Sequence, residues 1–320
     1  MDRLQVFTGS AHPGLAQAIA EHLGTQLGGA TVTEYKNGET RVCIEESVRG
    51  ADVFVVQPTC HPVNHHLMEL LIMIDAIKRA SASRITAVIP YYGYAKQEKK
   101  SRSREPITAK LVADLLQVAG ANRILTCDLH APAIEGFFNI PVDHLQGRRL
   151  LAERCFELDL PHPVVVAPDS GRVGWAVEMR ERLGDGAELA IIAKQRPTAD
   201  KVFTVEMVGD VRGRTALLID DIIMTGGTLL AAAEMLLSRG AEAVYACATH
   251  AAFAPGTRAL LETSPFTKVL ISDTVPLRAN GYHRYDGYSS KIEVISLASL
   301  FAEAILHIHE DTSVSALFRG

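Results

Sequence analysis

Short apolar runs alternate with longer amphipathic stretches along almost the whole chain. In the first half LQVFTG, ADVFVVQP, RITAVIPYY and NRILTCDLH read as strands. Between them PGLAQAIAEHLG, VNHHLMELLIMIDAIKRA and PITAKLVADLLQVAG carry the helical period, the first stopped by glycine and the third with Pro106 near its start. The second half repeats the rhythm: HPVVVAPD, the helix GWAVEMRERLG, ELAIIAK, TALLIDD with the helix LLAAAEMLLSRG, then AVYACATH, KVLISD, IEVIS and a final helix LASLFAEAILHIH. Continuous apolar strands separated by helices predict an α/β fold of mainly parallel sheets flanked by helices on both faces. The glycine- and tyrosine-bearing segment 276–291 reads as a loop.

CDLH and IDDII each follow a strand in corresponding places, so the halves read as two similar domains, 1–146 and 147–320. No Pro/Gly/Ser-rich linker separates them, and the final helix is expected to pack back on the N-terminal domain. A length of 320 residues suits about two domains, and 48% hydrophobic with 22% charged residues is ordinary for a soluble protein. A net charge of -5 without a long basic run leaves no footprint for nucleic acid. No apolar stretch reaches the roughly 20 residues needed to cross a bilayer, and MDRLQVFTGS lacks the regions of a signal peptide. Cysteines 43, 60, 127, 155 and 247 form no CxxC pair and are odd in number, as expected for a reduced, cytoplasmic protein. Cys127 and Cys247 lie in apolar strand-like runs and read as buried, inert thiols.

The most informative stretch is Ala216–Thr228, ALLIDDIIMTGGT. An apolar strand delivers two adjacent carboxylates, Asp220 and Asp221, to a sheet edge. Met224, Thr225, Gly226, Gly227 and Thr228 follow, and then a helix begins. Glycines allow close approach of backbone N–H groups to an anion, and the helix N-terminus adds positive potential. Acids for hydroxyls or a metal beside amides for a phosphate suit a phosphorylated sugar. This arrangement resembles the phosphoribosyl-diphosphate loop of the phosphoribosyltransferase superfamily.

Six stretches in order extend the resemblance: YKNGE, PYYGYAKQEKK, CDLHA, APDSG, AKQRP and the loop at 216–228. Together they look like the class I ribose-phosphate diphosphokinase family, from about residue 4 to the C-terminal SVSALF. The resemblance implies two phosphoribosyltransferase-type domains. It also implies transfer of the β,γ-diphosphoryl group of Mg-ATP to the 1-hydroxyl of ribose 5-phosphate, leaving AMP. On it, Lys194, Arg196 and His130 are catalytic, with the two basic residues stabilising the transferring diphosphate. His130 and Asp169 are the metal-side residues for Mg2+, and Asp169 equally suits an N-cap of the helix after it. Tyr35, Asn37, Glu39, Lys96, Gln97 and Lys99 bind ATP. Asp220, Asp221 and residues 224–228 bind ribose 5-phosphate. Ser47, Arg49, Ser81, Ser83, Ser313 and Ser315 resemble a regulatory interface that binds phosphate or ADP, at which inorganic phosphate would act as an activator. The family implies a homo-oligomer, expected as a hexamer, with the 35–39 segment reaching a neighbouring subunit.

The chain departs from the family pattern in several places. Gln195 replaces a basic residue between Lys194 and Arg196, Asn37 an acid, and Lys96 and Lys99 replace arginines, keeping charge without the bidentate fork. Met224 stands where an aspartate is usual and offers neither a useful hydrogen bond nor an Mg2+ ligand. Two readings follow: an active synthetase, or a catalytically weak or silent regulatory paralogue of it.

Overall fold

The computed structural model describes residues 3–194, 205–277 and 291–318. The chain divides into two compact units, one of Met1–Gly147, Thr274–Pro276 and Ser296–Gly320, the other of Arg148–Asp273 and Leu277–Ile295.

In the first unit the chain runs β1 (Leu4–Thr8), α1 (Pro13–His22), β2 (Ala30–Glu34), β3 (Thr40–Ile44), β4 (Asp52–Val56), α2 (Val63–Arg79), β5 (Arg84–Ile89), α3 (Thr108–Ala119), β6 (Arg123–Cys127) and β7 (Val142–Leu145). Five of these strands form a parallel sheet in the order β1-β4-β5-β6-β7. Every residue of β4, DVFVV, is buried, as a strand covered on both faces requires. Val53 and Val55 join a core with Leu70, Met73 and Ile74 of α2 and Val112 and Leu116 of α3. Val6, Phe54 and Val88 are equally buried, and α1 packs on β1.

Strands β2 and β3 stand apart as an antiparallel hairpin. Ala30, Val32, Val42 and Ile44 rest on the core, and β3 packs on α2. The sequence marks the KNGE turn but not these strands. Their half-buried and exposed residues, alternating in β3 alone, are a weaker signal than a continuous apolar run.

The second unit contains α4 (Arg148–Glu157), β8 (Pro163–Ala167), α5 (Val173–Leu183), β9 (Glu188–Lys194), β10 (Val205–Val208), β11 (Thr215–Ile222), α6 (Gly227–Ser238), β12 (Ala243–His250), α7 (Thr257–Thr263), β13 (Lys268–Ser272) and β14 (Ile292–Ile295). Its sheet has the order β10-β9-β8-β11-β12-β13-β14, parallel except for β10, which runs antiparallel to β9 at the edge. Alternate residues face opposite layers. Val164, Val166, Ala216 and Leu218 pack with Leu229, Ala233 and Leu236 of α6. Val165, Ala167, Leu217 and Ile219 pack with α4 and α5 through Leu151, Cys155, Trp175 and Met179. From β8 the chain moves one way to β9 and later returns to β11 on the other side. The divergence lies between β8 and β11, the kind of switch point at which open α/β sheets bind ligands beyond the strand ends. Of the segment read as a loop at 276–291, residues 278–290 lie outside the described residues.

The last helix, α8 (Ala298–His309), belongs to the first unit and packs on α1. A buried polar staple fastens it. Asp52, 2% exposed, and Arg84 are register partners at the starts of β4 and β5. Arg84 Nε and Nη2 donate to the two Asp52 oxygens at 2.8 and 2.6 Å, and His309 Nδ1 lies 2.8 Å from Asp52 Oδ2. Arg84 also donates to the Ile308 carbonyl at 2.8 Å and to Asp311 at 2.9 Å. The hydrogen bond to Asp52 holds the guanidinium above its ordinary pKa, against the opposing effect of its partial burial.

Removing one partner of a buried ion pair strands the other charge. Arg84→Ala is therefore expected to destabilise the protein by about 3 kcal/mol in urea unfolding, and Arg84→Lys, which lacks the fork, by less. A loss below about 1 kcal/mol would place the pair among weak surface bridges.

Candidate active site

The ends of β8 and β11 supply the second unit's polar cluster. Their register pairs Leu218 with Val166, and Asp221 and Asp169 each follow three residues further on. Asp169 accepts from the Gly171 N–H at 2.8 Å through one oxygen and so caps the one-turn helix Ser170–Arg172 leading into α5. That turn aims Arg172 at the acid pair: Nη2 is 3.0 Å from Asp221 Oδ2, and Nε is 3.5 Å from Asp220 Oδ1. Lys194 ends β9; its side chain, and all of Gln195 and Arg196, lie outside the described residues.

Asp220 and Asp221 are unequal. Asp221 is buried, while Asp220 is partly open and accepts from the Asp221 N–H at 2.9 Å. The Asp220 carboxyl is pushed up to about 7, first by burial, then by the hydrogen bond and charge of Asp221, with Arg172 opposing the rise. Two like charges on neighbouring residues favour one shared proton unless a cation offsets them.

The loop after β11 is anchored by its backbone. The Met224 carbonyl accepts from Thr257 Oγ1 at 2.7 Å and from the Ala254 N–H at 2.9 Å, and Ile223 N–H donates to the His250 carbonyl at 2.9 Å. The Met224 side chain itself is 44% exposed. Gly226 takes φ +73°, where a side chain would be strained by the backbone conformation itself. Gly226 is buried while Thr225, Gly227 and Thr228 are exposed. No side chain among the described residues caps the start of α6, so its first N–H groups are open to an anion.

In the first unit, His130 follows β6 in a loop held from behind. Asp128 N–H donates to the Leu145 carbonyl at 3.0 Å, Leu129 N–H donates to His144 Nε2 at 2.8 Å, and Glu135 lies 2.5 Å from His144 Nδ1. The segment 95–99 has its own acid, Glu98, 3.0 Å from Lys99 Nζ. Burial pushes the Glu98 carboxyl up, but Lys99, a backbone N–H and the nearby His130 together hold it below its ordinary value. His130, Glu98 and Lys99 therefore share one electrostatic neighbourhood. Lys96 and Gln97 are exposed in the one-turn helix Ala95–Gln97, and Thr108 donates to the Gln97 side chain at 2.6 Å. Tyr35, Asn37 and Glu39 sit at the tip of the β2–β3 hairpin. Tyr35 is 53% exposed, its N–H donates to the Glu39 carbonyl at 2.8 Å, and Glu39 N–H donates to Asn37 Oδ1 at 3.3 Å.

The serine segments far apart in sequence are neighbours in this unit. Gly50 N–H donates to the Ser81 carbonyl and Ser83 N–H to the Ala51 carbonyl, each at 2.9 Å. Arg84 then links this edge to Asp311, just before the bonded pair Ser313 and Ser315. Ser47, Arg49, Ser81, Ser83, Ser313 and Ser315 are all exposed. Sequence reasoning missed Arg172, Thr257, Glu98 and Arg84. The first adjoins APDSG, and an arginine at the end of a motif gives no spacing signal of its own.

With a folded-state pKa of about 7 against an ordinary 3.8, Asp220 keeps a proton between those values that the unfolded chain has released. Its contribution to stability therefore falls as pH rises from about 4 to 7. Asp220→Asn cannot ionise, so its melting temperature relative to the unsubstituted protein should climb between pH 5 and pH 8. A constant difference across that range would contradict the raised carboxyl.

Residues 4–120 match the N-terminal domain of ribose phosphate pyrophosphokinase, and residues 176–319 match the phosphoribosyl synthetase-associated domain. A ribose-phosphate pyrophosphokinase of Caldanaerobacter subterraneus subsp. tengcongensis is 54% identical over 316 residues, covering 98% of each chain. One from Oceanobacillus iheyensis is 50% identical over 315 residues, 98% of this chain and 97% of that one. The crystal structure of phosphoribosylpyrophosphate synthetase from Mycobacterium smegmatis superposes with a TM-score of 0.89 at 43% identity, covering 97% of this chain and 100% of that one. With its acid pair at a sheet switch point, its open helix N-terminus and this identity along its length, the chain belongs to the ribose-phosphate pyrophosphokinase family.

Proposed function

We infer that this protein transfers the β,γ-diphosphoryl group of ATP to the 1-hydroxyl of ribose 5-phosphate, forming phosphoribosyl diphosphate and AMP. The observation that carries this reading is the end of β11, where two carboxylates stand beside an uncapped helix N-terminus. Asp220 and Asp221 accept hydrogen bonds from sugar hydroxyls. The amides of residues 224–228 hold the 5-phosphate. Met224 contributes only its backbone, whose carbonyl is fixed by Thr257 and Ala254. This accounts for a loop that keeps its form without the usual aspartate side chain.

ATP is held by Tyr35, Asn37 and Glu39, by Lys96, Gln97 and Lys99, and by His130. The exposed Tyr35 ring offers a stacking face, and the lysines offer charge to phosphate oxygens. Lys194 and Arg196 stabilise negative charge on the transferring diphosphate as the sugar hydroxyl attacks the β-phosphorus in line.

The donor set suits Mg2+ rather than a metal held in a protein cage. Among the described residues no group of three or more His, Cys, Asp or Glu converges on one point. Asp169 is exposed and spends one oxygen on its cap, leaving the other as a hard ligand. Mg2+ commonly takes one or two carboxylates and completes its shell with substrate phosphates and water. Asp169 would hold it in the second unit and His130 would do so in the first, and a bound ion would neutralise polyphosphate charge. The remaining parts of the reading are a cytoplasmic homo-oligomer, a hexamer, activated by inorganic phosphate at Ser47, Arg49, Ser81, Ser83, Ser313 and Ser315. No described helix is long and apolar enough to cross a membrane.

Phosphorus NMR of the purified protein with ATP, ribose 5-phosphate and Mg2+ tests the reaction. AMP together with a sugar 1-diphosphate is expected, and their absence would overturn the reading. Lys194→Ala should lower turnover by about 100-fold with little change in affinity for ribose 5-phosphate; equal losses in both would contradict its assigned role.

A further inference from the structure

The acid pair at the end of β11 is not left to solvent. Arg172 reaches both carboxylates, 3.0 Å from Asp221 and 3.5 Å from Asp220, and its side chain is only 16% exposed. It is carried by the same one-turn helix that Asp169 caps, so its backbone is fixed relative to the end of β8. The β8–β11 register then fixes both strand ends against each other. Without a cation the pair would share a proton or draw another cation, and adjacent carboxylates are hard oxygen ligands for a divalent metal ion. With the guanidinium in place the cluster already holds a cation. Its carboxylates are oriented, and the partly open Asp220 suits the neutral hydroxyls of a sugar.

We propose that Arg172 is a positioning and specificity-determining residue, a built-in counter-cation that holds Asp220 and Asp221 for sugar hydroxyls and keeps a divalent cation from settling on them. The sugar half of this inference rests on the reading of the loop as a ribose 5-phosphate site. The metal half does not.

Two ligands, each without nucleotide, test the proposal on the full chain. Ribose 5-phosphate is titrated calorimetrically in EDTA. Mn2+ alone is titrated and followed by its electron paramagnetic resonance signal. For Arg172→Gln, the expected results are sugar-phosphate binding weaker by about tenfold and one additional Mn2+ bound per chain. Arg172→Lys should restore the exclusion of Mn2+ and recover only part of the sugar affinity, since lysine keeps the charge and loses the fork. It also serves as the folded reference should the glutamine variant be unstable: Mn2+ exclusion lost in the lysine variant would overturn the proposal. So would unchanged sugar affinity in Arg172→Gln, or no added Mn2+ in that variant. If the unsubstituted protein binds no ribose 5-phosphate, the reading of the loop fails, and the Mn2+ titration still decides whether Arg172 guards the acids.

Discussion

Two carboxylates on neighbouring residues repel each other, and the second unit is arranged so that they can stay side by side at the end of a buried strand. β11 is apolar on both faces up to Ile219, and each face has its own helical layer. The acids therefore emerge at a rigid edge rather than on a mobile loop. Burial raises the cost of their charge, and Arg172 lowers it. Rigid sheet, switch point, acids and counter-cation form one chain of dependence. A softer strand would let the carboxylates separate, and the convergence that suits a vicinal pair of hydroxyls would be lost.

In the proposed reading, the phosphate side of the same edge works through backbone. A loop built to present N–H groups needs its carbonyls turned away and satisfied. Thr257 and Ala254 do this at Met224, and Gly226 supplies the left-handed residue just before α6. The identity of the residue 224 side chain then matters less than the position of its carbonyl. In the first unit the corresponding economy is mechanical. Asp52 and Arg84 at two strand starts secure α8, and the serine-bearing segments lie along the edge thus formed.

Much of this was legible in the sequence where burial is two-sided. DVFVV, VVVA and ALLI are continuous apolar runs, and each is a strand of a parallel sheet. Asp220, Asp221 and Gly226 were legible because an apolar run, two acids and a small-residue loop occur in fixed order. Other features were not. The hairpin strands are half-exposed, and only β3 alternates. Helix α4, RRLLAERCFE, begins at the boundary between the halves and has a weakly segregated pattern, so it went unread. Thr257 acts on Met224 across 33 residues, and Arg172 on Asp220 and Asp221 across α5, β9 and β10. Such pairings are products of strand order, which local patterns do not encode.

The central claim is that the end of β11 and the start of α6 form the ribose 5-phosphate site by themselves, before nucleotide or metal arrives. Hydrogen–deuterium exchange with ribose 5-phosphate alone addresses it directly. Slower exchange confined to peptides covering residues 220–229 is the result this account requires. Unchanged exchange there, or protection appearing only in other segments, would contradict it.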